Sequence, residues 1–174
     1  MGIDPGLSAT GYGLVKGGHP PTARLAGVIR TDPGKTMAVR LHELFMGLSQ
    51  VMEESHPDAV AVETVFTNRN LQTAIAVGRA SGVALLAAAR AGVPVSEYAP
   101  TAVKSAITGD GAATKTQIQQ MVARLLRLTD PPKPADAADA LAIALCHLRA
   151  APLELSLPQQ GGSPALPGRG DPSR

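Results

Sequence analysis

Three β-type segments precede the first helical one, and this ordering restricts the fold more than any other feature of the chain. A short apolar strand ends at Asp4 and runs into Pro5-Gly6, a second covers about Thr10 to Lys16, and TARLAGVIR (Thr22 to Arg30) forms a third. The KGGHPP between the last two reads as a hairpin loop, so the three strands predict an antiparallel meander. From Thr36 the apolar period changes. Leu41, Leu44, Phe45, Leu48, Val51 and Met52 recur at helical spacing up to about Glu54. DAVAVE (Asp58 to Glu63) is then a short apolar run of the kind that makes a buried parallel strand. A small-residue helix over about Asn70 to Ala91 and a fifth strand, VPVSEY (Val93 to Tyr98), follow. Helices over Thr101 to Ile107, Thr114 to Leu126 and Ala135 to Ala150 complete the pattern. The order βββαβαβααα implies an α/β fold, a five-stranded mixed sheet flanked by helices on both faces.

Beyond Ala150 the character of the sequence changes again. Residues 151–174 hold five prolines and four glycines without periodicity, which predicts a disordered tail bearing no chemistry after a folded domain of residues 1–150. Hydrophobic residues at 44% and charged residues at 17% fit that globular reading. No secretory signal opens the chain. The most apolar stretch, ASGVALLAAA, is fenced by Arg79 and Arg90 and is shorter than the roughly 20 residues of a membrane span. The single cysteine, Cys146, excludes an internal disulfide and reads as a packed thiol. A cytoplasmic protein without a membrane partner is expected. Net charge of +2 does not by itself mark a nucleic-acid binder, although arginines outnumber lysines 11 to 5 and arginine's planar fork suits phosphate.

Four acids stand out. Asp4 lies at the end of the first strand, where a carboxylate can line a cleft, although Asp before Pro-Gly is also ordinary turn chemistry. Glu63 terminates an apolar strand, and burial of its charge is costly unless paired or metal-bound; a rim position facing water is the alternative. Asp136 and Asp139 open the last helix three residues apart, on one face. Acids in a first turn also complement the helix dipole, which accounts for Asp136 better than for Asp139, since Asp139 shares the face of Ile143. Carboxylates gathered at one place repel, so such a site needs a cation. Oxygen ligands alone suit Mg²⁺ or Mn²⁺, and no Cys/His cluster offers zinc a site. Two such ions ~4 Å apart can activate water and stabilise the leaving oxygen in phosphodiester hydrolysis.

GIDPG followed by TGYG, VETVF, and ADAADALAIA, in this order and spacing, resemble the RuvC family of Holliday junction resolvases over about Gly2 to His147. The resemblance implies a ribonuclease H-like fold and a Mg²⁺-dependent crossover junction endodeoxyribonuclease. It would act in DNA recombination and repair, with two Mg²⁺ per active site and Mn²⁺ able to substitute. It carries the metal-binding and catalytic roles onto Asp4, Glu63, Asp136 and Asp139, and a role near the scissile phosphate onto Lys104 and Lys115. It makes Phe66 the aromatic residue that stacks on junction bases, a role that a ring in the polar loop up to Asn70 can play; anchoring that loop in the core is the other reading. By placement, Arg69, Asn70 and Arg79 are candidate DNA contacts. The chain departs from the family in having only three residues before its first aspartate, so either the given start is truncated, which is the expectation, or the first strand is trimmed.

A four-way junction in its open form has approximate two-fold symmetry, so two matching cuts call for two sites related by a two-fold axis. RuvC proteins dimerise through the helix after Phe66, where Ala74, Gly78, Gly82 and Leu85 form a smooth stripe; packing of that stripe on the sheet is the other reading. The family further implies RuvA and RuvB branch-migration proteins as partners. Three alternatives stand beside this one. A YqgF-like nuclease would keep the acids and act on RNA; a junction-binding protein would lack catalysis. An actin-like ATPase would need a duplicated core and a second phosphate loop, and this chain has neither.

Overall fold

The computed structural model describes residues 1–64 and 71–154, with side chains to residue 150. Five strands, β1 (Gly2–Asp4), β2 (Ala9–Lys16), β3 (Thr22–Arg30), β4 (Val60–Glu63) and β5 (Val95–Tyr98), form one sheet in the order β3-β2-β1-β4-β5. The first three pair antiparallel, as the hairpin signals predict, and β1, β4 and β5 run parallel. Helices α1 (Met37–Ser55) and α2 (Leu71–Arg90) cover one face; α3 (Pro100–Thr108), α4 (Lys115–Leu125) and α5 (Ala135–Glu154) cover the other. All ten predicted elements are present. The last helix runs four residues beyond its expected end at Ala150, through Pro152 to Glu154.

Two apolar clusters, one per face, hold the layers together. Ile3, Val60 and Val62 pack with Leu44, Leu48 and Met52 of α1 and Ala80, Ala84, Ala87 and Ala88 of α2. Ala61 and Val15 pack instead with Leu141 to Cys146 of α5 and with Val103, Ile107, Ile118 and Val122. The period of two in a strand produces this division, since neighbours along the chain point to opposite faces. It also decides the direction of the acids. Ile3 faces α1 and α2, so Asp4 faces α5; Val62 faces α1 and α2, so Glu63 faces α5 with Ala61.

Helix α5 lies unusually close to the sheet, and glycine is the reason. A Cβ on Gly2 would stand 2.0 Å from the Ala140 carbonyl oxygen, and one on Gly11 2.0 Å from that of Asp136. On Gly13 it would meet the Leu141 side chain at 2.9 Å. Gly2 pairs with Gly13 and Asp4 with Gly11 across β1 and β2, so the glycines form a shallow track in which the helix rests.

Helix α2 is continuous over 20 residues that include ASGVALLAAA, with Arg79 on its exposed side. By length and composition it could cross a membrane, but its Ala80, Ser81, Ala84, Ala87 and Ala88 are buried in this fold. The glycine stripe also lies differently from one of its two readings. Gly78 and Gly82 are exposed with open space where a Cβ would stand, while Ala74 and Leu85 are half-buried. The alanines pack on the core, and the glycines face outward beside exposed Leu71, Ile75 and Leu86.

Candidate active site

Parallel pairing of Gly2 with Ala61 and Ile3 with Val62 carries the register on to set Asp4 beside Glu63 at the carboxyl ends of the two central strands. Above them the first turn of α5, seated on Gly11, brings in Asp136 and Asp139. Carboxylate oxygens of Asp4, Asp136 and Asp139 lie within 4.8 Å of one another. Glu63 lines the same cleft with Asp4 and Asp139, a cavity of about 250 Å³ walled by Pro100, Val103, Lys104, Lys115, Ile118 and Ala142. Acids separated by more than 130 positions in the chain thus share one pocket.

Their electrostatics reflect that crowding. Burial, and then the charges of Asp139 and Asp136, push the Asp4 carboxyl up to about 6. Burial, and then Asp4 and Asp139, push Glu63 up to about 7. Opposing them is Lys115, whose ammonium lies 2.6 Å from Asp139 Oδ2; that hydrogen bond raises the lysine's own pKa. Local structure places this lysine. Thr114 caps α4 in a capping box with Gln117, so Lys115 is the first residue of the helix and projects from its start into the cleft. Lys104 reaches the cleft from α3 and lowers the pKa of Glu63.

The residues fit a divalent cation. The cleft offers oxygen donors from separate elements, holds no Cys or His ligand among its lining residues, and leaves two carboxyls that burial, and then mutual repulsion, make easier to protonate than normal.

The other residues singled out from the sequence fall elsewhere. Arg79 is exposed on α2, outside the cleft, and Phe66, Arg69 and Asn70 lie outside the described residues. Cys146 is buried with its Sγ 4.0 Å from the Ala102 carbonyl oxygen, and burial raises its pKa, which suits a packing role. Two features escaped sequence reasoning. One is the supporting part of Gly2, Gly11 and Gly13, for which the alternation of glycines along adjacent strands was the available signal. The other is a hydroxyl network centred on Arg40, which no sequence pattern marks.

Comparison with known proteins identifies the arrangement. Residues 1–147 match the family model described as crossover junction endodeoxyribonuclease RuvC. A RuvC from Salinispora arenicola is 52% identical over 150 residues, covering 85% of this chain and 86% of that protein. A RuvC from Streptomyces avermitilis is 47% identical over 171 residues, 97% of each. The structure of Thermus thermophilus RuvC in complex with Holliday junction substrate superposes with a TM-score of 0.82 at 39% identity, covering 88% of this chain and 94% of that one. A ribonuclease H-like sheet with an acidic cleft at its carboxyl end, and this level of identity over almost all of each relative, place the chain in the RuvC family of crossover junction endodeoxyribonucleases.

Proposed function

We propose that the chain resolves four-way DNA junctions by paired symmetric nicks, using two Mg²⁺ ions held by Asp4, Glu63, Asp136 and Asp139, with Mn²⁺ able to substitute. The observation that carries this reading is the meeting of Asp4, Asp136 and Asp139 within 4.8 Å, in a cleft whose walls bear Lys104 and Lys115. Divalent ions bound there would supply an activated water and stabilise the leaving oxygen. The protein's own part is preorganisation. Strand register and the glycine track hold the acids before substrate arrives, so little reorganisation is needed at reaction. Lys104 and Lys115 hold the scissile phosphate and offset its charge, Lys115 releasing Asp139 as it does so. Apolar Val103, Ile118 and Ala142 close the floor and limit competing water.

The enzyme acts as a homodimer through the outward face of α2, where Leu71, Ile75 and Leu86 are exposed around two glycines that permit close helix approach. Phe66 stacks on bases at the crossover, and Arg69, Asn70 and Arg79 contact the backbone. Residues 1–150, with the end of α5 to Glu154, form the nuclease domain, and the rest of the chain to residue 174 is a tail without chemistry. The protein works in the cytoplasm with RuvA and RuvB. Incubation with a mobile synthetic junction, a fixed duplex and a replication fork, each with and without Mg²⁺, tests the core of this proposal. Symmetric Mg²⁺-dependent nicks in the junction alone are expected, slowed in Phe66→Ala. Cutting of all three substrates alike would remove junction selectivity.

Cation dependence has a second expected signature. Folded-state pKa values of about 6 and 7, against 3.8 and 4.5 ordinarily, mean that the folded protein holds these protons more tightly than the unfolded chain. Their contribution to stability is therefore present in full below about pH 4 and lost as pH rises through about 7. A bound divalent cation reverses that loss by favouring the ionised acids. Mg²⁺ should raise Tm markedly at pH 8 and little at pH 5 in paired melts against EDTA. An equal shift at both values would contradict the coupling.

A further inference from the structure

Arg40, in the first turn of α1, has an unusual set of partners. Its Nε donates to Thr31 Oγ1 at 2.9 Å and its Nη2 to Ser8 Oγ at 2.8 Å. Among the described residues no carboxylate pairs with it, and its Nη1 has no partner. Thr31 is buried, and its hydroxyl donates in turn to the Leu7 carbonyl oxygen at 2.6 Å. The Thr31 amide donates to the Ser8 carbonyl oxygen at 3.3 Å. The guanidinium is thereby held in a fixed plane by two neutral oxygens, with its charge uncompensated. A surface ion pair would have neutralised it, as Glu43 does for nearby Lys35.

Its position matters as much as its charge. Ser8 is in the turn joining β1 to β2, four residues past Asp4, and Thr31 directly follows β3, which pairs with β2 through Ala9 and Arg30. Both therefore sit at the carboxyl end of β1, the end that holds the acids. Lys104 and Lys115 approach that end from the α3 and α4 side of the sheet, whereas Arg40 approaches from the α1 side. Cationic side chains thus stand on both faces of the sheet at that end. A nucleic-acid strand with one phosphate in the cleft would continue over the turn that carries Ser8.

We propose that Arg40, with the exposed Ser8 hydroxyl, binds a DNA backbone phosphate flanking the scissile one, on the α1 side of the active site. A planar guanidinium with free N–H groups and an adjacent hydroxyl donor suits a phosphate's oxygens, and its prior fixation reduces the ordering cost of binding. The inference rests on the nuclease reading of the cleft.

Junction affinity measured against salt concentration, for wild type, Arg40→Gln and Arg40→Lys, tests it, with thermal melts alongside. Arg40→Gln should weaken binding about tenfold at 0.1 M salt and lower the slope of log K against log salt by about 0.9, the loss of one phosphate contact. Single methylphosphonates placed along the nicked strand should then reveal one position that weakens wild type and leaves Arg40→Gln unaffected. An unchanged slope and affinity would overturn the proposal whether or not Tm falls, since a purely structural strut would move Tm alone. Should Arg40→Gln fail to fold, the methylphosphonate comparison in Arg40→Lys decides: reduced sensitivity at that one position supports the contact, and sensitivity equal to wild type overturns it. Failure of wild type itself to bind or nick the junction would count against the nuclease reading instead.

Discussion

Asp4→Asn should lower single-turnover junction nicking by about 10²–10³-fold or more while junction binding in the absence of Mg²⁺ stays equal or tightens. The amide keeps the shape of the side chain and removes its charge at the centre of the cluster, between Glu63 on β4 and the two α5 acids. On the proposed function, loss of the charge would remove a cation ligand, so the rate should fall. It also relieves the repulsion that, after burial, raises the pKa values of Asp4 and Glu63, so the variant should melt at a higher temperature than wild type in EDTA at pH 8. Opposite movements of stability and rate distinguish a functional acid from a structural one, which would lower both. Glu63→Gln should behave alike, by the same reasoning. Cleavage near the wild-type rate in either variant would remove that residue from the site.

The second large effect is expected from a residue that touches no substrate. In Gly11→Ala the new methyl would stand 2.0 Å from the Asp136 carbonyl oxygen and 2.6 Å from its carbon, atoms of a helix backbone that cannot rotate aside. Helix α5 must lift. Overpacking of this kind costs about 1–3 kcal/mol, or roughly 2–4 °C in Tm for each kcal/mol in a domain of this size. The lift also moves Asp136 and Asp139 together away from Asp4, and a misplacement of about 1 Å can cost 10²-fold in rate. Thermal melts and single-turnover nicking under the same conditions measure both. Normal nicking in a stable Gly11→Ala protein would show that the close approach of α5 is not what sets the acids.

These two variants mark the boundary between what could and could not be read in advance. That Asp4 and Glu63 end short apolar strands was legible because strand ends are local patterns, and that Asp136 and Asp139 share a helix face because a spacing of three fixes it. The roles given to the four acids came from the family resemblance, not from these patterns. Helix and strand boundaries came within a few residues because period two and period 3.6 are properties of consecutive positions. Helix α2 was legible at nearly its full length, about Asn70 to Ala91 expected against Leu71–Arg90 found, because a helix carries one arginine on its exposed side without interruption. The two faces of α2 were ambiguous in sequence, since alanine and glycine are both small. Packing resolved them by burying the alanines and leaving Gly78 and Gly82 outside.

Local pattern, then, sufficed for the elements, their order and the shared face of Asp136 and Asp139, but left open whether Asp4 and Glu63 face a cleft or water. Only the tertiary structure decided that α5 comes down on the glycine track of β1 and β2, that Lys115 from a capped helix start pairs with Asp139, and that Arg40 is held by Ser8 and Thr31 with its charge free. The physical reason is range. Backbone periodicity acts between neighbours in the chain, whereas the height of a helix above a sheet and the partner of a long cationic side chain depend on residues tens of positions away, and no local pattern records them.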